Sequence, residues 1–233
     1  MINVCPLSEL AQFRAAVQLQ RVIWGWDELD LLPVRFFVVA HSVGGQVLGA
    51  FHGDALCGFL LAIPGVKDQC AYLHSHMLGV LSEYRNTGAG LALKLAQKED
   101  ALSRGISRVE WSFDPLNLKN AYFNLEKLGA IVREFKPNLY GHTTSTLQAG
   151  LPTDRCIAEW DLQNQRPRLT PIERVSVPNN IDQLKRANPD AARAIQSEVA
   201  QQLQRHLGAG LAITGFQRTA EYGTYLLSPW PSK

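Results

Sequence analysis

The sequence predicts an α/β protein of the mixed, α+β kind: one mixed sheet with helices on its faces, followed by a C-terminal helix-plus-hairpin extension. Three observations carry this. Apolar segments of strand length are interleaved with segments of helical periodicity in the order β, α, α, β, β, β, α, β, α, β, β. Glycine-bearing turns such as "SVGG", "HGD" and "LGAG" separate them. The 233 residues are 46% hydrophobic and 19% charged, an ordinary globular composition with length for one large domain, or a domain plus an extension.

Residues 2–5 read as a short strand. Ser8 is placed to cap a helix whose apolar positions, Leu10, Phe13, Val17 and Trp24, form a one-sided stripe. The apolar run 33–40 reads as a second short helix that "SVGG" ends. Residues 46–51 and 55–63 are two strands joined by the tight "HGD" turn, a hairpin pattern. Residues 71–80 form a further strand. A helix over about 88–104 is stopped by Gly105. Residues 108–113 read as a strand, 118–128 as a helix and 130–135 as a strand, and "RCIAEWDL" (155–162) alternates like a strand.

After Leu162 the character changes. "QNQRPRLTP" is polar with two prolines and reads as a linker or edge crossing. Asn188 followed by Pro189 is a cap-plus-N1 helix start, and Ala192, Ile195, Val199, Leu203 and Leu207 make one apolar stripe. Strands at 211–217 and 223–227 finish the chain. The division expected is a main domain over 1–162 and an extension over 163–233. The extension's own core is too small to stand alone, so the stripe should pack on the main sheet or on a second subunit, the latter making a homodimer.

A formal net charge of +2 is too small to argue for nucleic acid or an acidic membrane. "MINVCPLSEL" lacks the basic start and apolar core of a signal peptide, and no apolar stretch is long enough to span a bilayer. Cys5, Cys57, Cys70 and Cys156 show no CxxC spacing and read as reduced thiols of a cytoplasmic protein.

The stretch with chemistry in it is "SEYRNTGAGLALKL", from Ser82 to Leu95. Glycine-rich turns before helices bind phosphate because the first helical N–H groups lack partners, the dipole end is positive, and glycine lets backbone approach the anion. A Walker loop is absent. A dinucleotide fingerprint fails because Leu93 stands where its third glycine is required. What remains is R-x-x-G-x-G between a strand and a helix.

In that setting "LGVLSEYRNTGAG" (78–90) resembles the acyl-CoA loop of the GNAT acetyltransferase superfamily, whose strand order the elements above share. "NAYFNLEKLGA" (120–130) is similar to that superfamily's last helix. "FDPL", "NAYFNLEKLGA" and "NLYG" together resemble a bacterial subgroup with a C-terminal extension. The resemblance covers about residues 1–162, and it implies a GNAT-like fold with acetyl-CoA as acyl donor and an unidentified amine as acceptor. The backbone of Arg85, Asn86, Thr87, Gly88, Ala89 and Gly90 should cradle the CoA pyrophosphate. Main-chain groups of Leu78 and Val80 should bond the pantetheine arm like an added strand, and Asn117 is placed to reach the same arm.

Direct acyl transfer to an amine needs a base for the ammonium, an oxyanion donor and an acid for the thiolate. Many superfamily members place a tyrosine four residues before the glycine that follows the last helix; this chain has Leu125 there, and Tyr122 sits one turn earlier. Tyr122 is the candidate acid. His74 and His76, in "LHSHML", share a strand face and are the candidate bases. H-x-H also suits two metal ligands, but the sequence places no acidic or cysteine partner for them. Glu83 reads as structural, Asp114 as the cap of a turn, and Tyr140 and His142 lie on a segment able to cover the acceptor. Trp24 and Trp26 read as core residues, at the place where this fold admits the acceptor. A non-catalytic acyl-CoA-binding or regulatory module is the alternative; Leu125 favours it, while the intact loop and the polar strand face favour the enzyme.

Overall fold

The computed structural model describes residues 1–141, 143–145 and 148–231. Its chain divides into two compact units, Met1–Glu110 with Thr144–Leu147, and Trp111–Thr143 with Gln148–Lys233.

In the first unit, β1 (Ile2–Pro6), β2 (Gln46–His52), β3 (Ala55–Lys67) and β4 (Cys70–Val80) pair antiparallel in that order. β4 then pairs in parallel with the start of β5 (Arg108–Phe113), at Leu73↔Val109 and His74↔Glu110. β3 runs on through Pro64 and Gly65 to Lys67, past Ile63, where the sequence implies its end. Gly65 lies opposite Tyr72, whose ring fills the space a Cβ would need (2.6 Å to Cε1). Asp68 and Gln69, both at positive φ (53° and 61°), make the tight turn into β4.

α1 (Leu10–Trp24) and α2 (Val34–Ser42) cover one face of this sheet. Phe13, Ala16 and Leu19 of α1 and Phe37 and Ala40 of α2 join Val47, Phe59, Leu61 and Met77 in one apolar cluster. α1 starts one residue later than a Ser8 cap implies. Glu9 is the N-cap, and the Gln12 side-chain oxygen accepts the N–H groups of Ser8 (2.9 Å) and Glu9 (3.0 Å). Leu10, at the exposed first position, drops out of the stripe, while Ala16, Leu19 and Gln20 enter it. α3 (Ala89–Ser103) lies on the other face: its Lys94 reaches Ser75 of β4, and its Gln97 and Asp100 reach Gln46 of β2.

The second unit holds the rest of β5, α4 (Leu118–Tyr122), β6 (Ile131–Lys136), β7 (Arg155–Asp161), β8 (Glu173–Pro178), α5 (Ile181–Ala187), α6 (Pro189–Gly208), β9 (Leu211–Arg218) and β10 (Tyr222–Pro229). β6 pairs antiparallel with β7 and, at Val132↔Ile213, with β9; β9 pairs with β10, and β10 with β8. The helix expected over 118–128 is α-helical only to Tyr122 and continues as a π-helical turn, Phe123–Lys127. Asn188 caps α6 by accepting the Ala191 N–H (3.1 Å), with Pro189 at the first position. Ala192, Val199 and Leu203 are buried as the stripe implies, whereas Ile195 and Leu207 are half-buried and Gln196 and His206 take the inner positions.

β8 and α5 have no counterpart in the sequence reading. β8 buries only Val175 and Val177 and follows a polar, proline-bearing run, and α5 has seven residues, too few for a helical period to show.

Gly79 of β4 lies under α1: a Cβ there would come within 2.7 Å of Trp24 Cη2 and 2.8 Å of Ile23 Cδ1. The indole cannot yield as a flexible side chain would. Gly79→Ala is expected to destabilise the protein by about 1–3 kcal/mol through overpacking. Chemical denaturation of the two proteins side by side measures this, and an unchanged midpoint contradicts it.

Candidate active site

β4 carries an irregularity that organises the site. Leu61 of β3 faces Met77 and Ala62 faces Ser75, so His76 is an extra residue, a β-bulge. The bulge inverts the strand. Ser75 points to α3, where its hydroxyl meets Lys94 Nζ at 2.9 Å, while Met77, two residues on, packs with α1 and α2. After the bulge Leu78 and Val80 face α3, and Gly79 faces Trp24.

The histidines lie on the α1–α2 side. His74 and His76 have ring centroids 5.9 Å apart, and Phe36 of α2 lies 6.2 Å from the His76 ring. Desolvation lowers the pKa of both below the usual 6.5; the charge of Lys94 adds to this for His74, and that of His74 for His76. Both are therefore biased toward the neutral form that accepts a proton. Beside them Trp24 and Trp26 stack at 4.8 Å and 14°, and Trp24 sets its edge on Phe59 at 5.9 Å. Trp26 Nε1 is buried with no hydrogen-bond partner among the described residues, an unsatisfied donor beside the histidines. Asp30, between α1 and α2, accepts the Thr144 N–H (2.7 Å) and hydroxyl (2.6 Å).

The glycine-rich loop follows β4 directly. A short 3₁₀ turn, Ser82–Tyr84, leads to Arg85, whose Nε donates to Val80 O at 3.3 Å. The Thr87 hydroxyl donates to Tyr84 O (2.7 Å), and Asn86 and Gly88 take positive φ (64° and 93°). Gly88 is the N-cap of α3. The first turn leaves the N–H groups of Ala89, Gly90 and Leu91 without carbonyl partners inside the helix. A Cβ on Gly90 would meet nothing nearer than Leu78 Cδ2, at 3.7 Å, and Val80 Cγ2, at 4.0 Å. The structure thus brings Leu78, Val80 and the loop residues Arg85 to Gly90 together around one open helix N-terminus. Glu83 is exposed and accepts the Ser82 hydroxyl (3.0 Å).

Lys94 is a part of the site that the sequence did not signal, since it stands between two leucines like any surface lysine. It is 3% exposed, donates to Ser75 Oγ and to Gln97 Oε1 (2.9 Å each), and burial holds its pKa well below the usual lysine value. Gln97 in turn donates to Gln46 Oε1 (2.9 Å), and Gln46 donates to Asp100 (2.6 Å).

In the second unit Asn117 is the N-cap of α4, and its side-chain oxygen accepts the Asn120 N–H (3.1 Å). Tyr122 is 36% exposed, with Lys127 Nζ 5.7 Å from its ring centre, whereas Leu125 is fully buried. Asp114 caps its turn through the Leu116 N–H (2.8 Å) and pairs with Lys185 (3.2 Å). The Tyr140 hydroxyl bonds Ser112 (2.7 Å); His142 lies outside the described residues. Among the described residues no group of three or more His, Cys, Asp or Glu is placed to hold a metal ion, and no helix is long and apolar enough to cross a membrane.

No protein-family model and no curated protein matches this sequence. Solved structures do. A complex of Arabidopsis thaliana Naa50 with the bisubstrate analogue CoA-Ac-MVNAL is similar at 16% identity and TM-score 0.54, over 68% of this chain and 97% of its own. The Escherichia coli ribosomal-protein-S18-alanine N-acetyltransferase is similar at 18% and 0.54, over 72% and 99%. A GNAT family acetyltransferase from Elizabethkingia anophelis, solved with acetyl-CoA bound, is similar at 13% and 0.52, over 69% and 97%. Each is spanned almost whole, while part of this chain has no counterpart in it.

The direction of the histidine shifts fixes a pH dependence. An imidazole that resists protonation in the folded state takes its proton more readily when unfolded. Stability from His74 and His76 is therefore present above pH 6.5 and is lost as the pH falls through their folded values. In NMR titrations of the histidine rings both should show midpoints below 6.5, and Lys94→Met should raise that of His74 by removing a like charge. A His74 midpoint at or above 6.5 in the wild type contradicts this.

Proposed function

We propose that this chain, which has the fold of the GNAT acetyltransferases, is an N-acyltransferase that moves an acetyl group from acetyl-CoA to a primary amine of a small molecule or protein. One observation carries the reading: the open N-terminus of α3, capped by Gly88 at φ 93°, faces the second half of β4 across Gly90. Unpartnered N–H groups and the positive end of the helix suit a pyrophosphate. Leu78 and Val80, beyond the short parallel ladder at Leu73 and His74, offer main-chain groups to the pantetheine amides as a strand would. The same atoms hold the thioester near the bulge at His76.

In this mechanism His74 or His76, biased toward the neutral form, takes a proton from the acceptor's ammonium directly or through water. The amine nitrogen attacks the thioester carbonyl, its bond to carbon forms, and the carbon–sulfur bond breaks. Tyr122 donates its hydroxyl proton to the departing thiolate, and the second proton that the new amide nitrogen sheds returns to the phenolate directly or through water, so that the net proton released stays on the histidine; Asn117 helps to hold the pantetheine arm. Trp24, Trp26 and Phe36 give the acceptor an aromatic wall beside the histidines. A second reading, an acyl-CoA-binding module without chemistry, is favoured by the buried Leu125 at the position where many GNAT enzymes have tyrosine. CoA release in the presence of an amine panel separates the two.

Acetyl-CoA is expected to stabilise the protein, since a ligand bound only by the folded state shifts the equilibrium. At a concentration ~100-fold above Kd the gain is about 2.7 kcal/mol, or roughly 5–10 °C in melting temperature for a chain of this size. Gly90→Glu should abolish the shift by placing bulk and negative charge where the pyrophosphate lies, with the apo melting point nearly kept, because a glutamate suits a helix start. Differential scanning fluorimetry with acetyl-CoA, CoA and dephospho-CoA tests this. No shift with any of them removes the acyltransferase reading.

A further inference from the structure

The segment from Asp114 to Ala130, which carries Asn117 and Tyr122, is gripped at both ends by residues that follow Leu162. At the front, Lys185 Nζ lies 3.2 Å from Asp114 Oδ2, and the Tyr225 hydroxyl, fully buried, donates to Pro115 O at 2.6 Å. At the rear, Arg166 Nη1 donates to Leu125 O at 2.6 Å and to Ala130 O at 3.4 Å, its guanidinium lies 3.6 Å from Glu126, and Glu126 accepts the Phe216 N–H at 2.8 Å. Between these ends α4 rests on the β9–β10 hairpin. A Cβ on Gly223 would strike Leu118 at 2.9 Å, and one on Gly215 would lie 3.5 Å from Glu126 Oε1.

The rear contacts coincide with the π-helical turn, Phe123–Lys127. A wide turn changes the carbonyl pattern of the helix that contains it and is kept only where something holds it. Here the Leu128 N–H bonds Phe123 O and the Ala130 N–H bonds Asn124 O (3.0 Å each), while Arg166 takes the carbonyl of Leu125, the next in the chain. Among the described residues the guanidinium is a group from outside the helix that satisfies a carbonyl of this turn. Adding or removing one residue from a turn rotates everything before it by ~100°, and Tyr122 is the residue just before it.

We propose that the C-terminal extension is a working part of the reaction machinery: Arg166, by holding the wide turn, is a positioning residue for the Tyr122 hydroxyl. This rests on the acyltransferase reading, with Tyr122 as the proton donor to the thiolate.

The test is a double-mutant cycle on the full chain, with kcat and KM measured for acetyl-CoA and an amine found in the panel, and coenzyme Kd measured by calorimetry. Tyr122→Phe should lower kcat by about 10²-fold, the scale of a lost general acid. Arg166→Met should lower kcat about tenfold with coenzyme Kd unchanged. In the Tyr122→Phe background the same Arg166 change should cost no more than about twofold, because residues acting through one group are not additive. Arg166→Lys should recover part of kcat, and Glu126→Gln should resemble a mild Arg166→Met. Equal losses in both backgrounds overturn the proposal, since a purely structural residue costs the same with or without Tyr122. A Tyr122→Phe variant as fast as the wild type overturns it while leaving acyl transfer intact. If Arg166→Met does not fold, the cycle runs with Arg166→Lys and Glu126→Gln, and failure of all three to fold overturns it in favour of a structural role. Coenzyme binding without transfer to any amine rejects the enzyme reading itself, and the positioning role with it.

Discussion

One inserted residue in β4 decides what that strand shows to each of its neighbours. Without His76 as an extra member, Ser75, Met77 and Gly79 would all face one way. With it, Ser75 reaches the buried ammonium of Lys94 on α3, while Met77 joins the apolar cluster under α1 and α2 and Gly79 leaves room for Trp24. Leu78 and Val80 then fall under the glycine-rich turn. The alternative, a regular strand, would either carry Ser75 with Met77 into the cluster of Phe13, Phe37 and Phe59, or carry Met77 with Ser75 to the Lys94 side, and burying a polar group without its partner costs a few kcal/mol. The bulge is therefore held by the polar contact on one side and the apolar cluster on the other.

The buried polar strip on the α3 side reinforces that arrangement. Lys94, Gln97 and Asp100 of one helix meet Ser75 and Gln46 of two different strands. Such a strip adds little net stability compared with an apolar equivalent, yet it penalises any other helix phase, because a turned helix would bury the same groups unpaired. The N-terminus of α3 keeps its position over Leu78 and Val80 for that reason, and so the glycine turn depends on contacts made about one to three turns further along the helix.

What could be read from the sequence was local. The turn at "RNTGAG", the Asn188–Pro189 start of α6 and the hairpin about Gly53 depend on residues adjacent in the chain, and each lies where its residues imply. The bulge was hidden because an extra residue has meaning only against the register of β3. Lys94 was hidden because helical position alone does not say which neighbour comes down on a side chain. Arg166 lies in a proline-bearing polar run that reads as a linker, and its role appears only once Leu125 and Ala130 are close in space. The histidine pair was visible as a shared strand face. Its desolvation, and the cation that adds to it, were not.

The wide turn at Phe123–Lys127 also changes how this chain is to be counted. A tally running back from Gly129 assumes an unbroken α-helix and arrives at Leu125, which is sealed inside; a tally running forward from Asn117 stays in true α geometry as far as Tyr122. The two tallies disagree in angle because the turn between them holds more residues than an α-turn. Comparing this helix with another by residue position alone therefore matches side chains that point in different directions. A natural variant lacking one residue between 123 and 127 would change the facing of its tyrosine even with every other letter of the sequence kept.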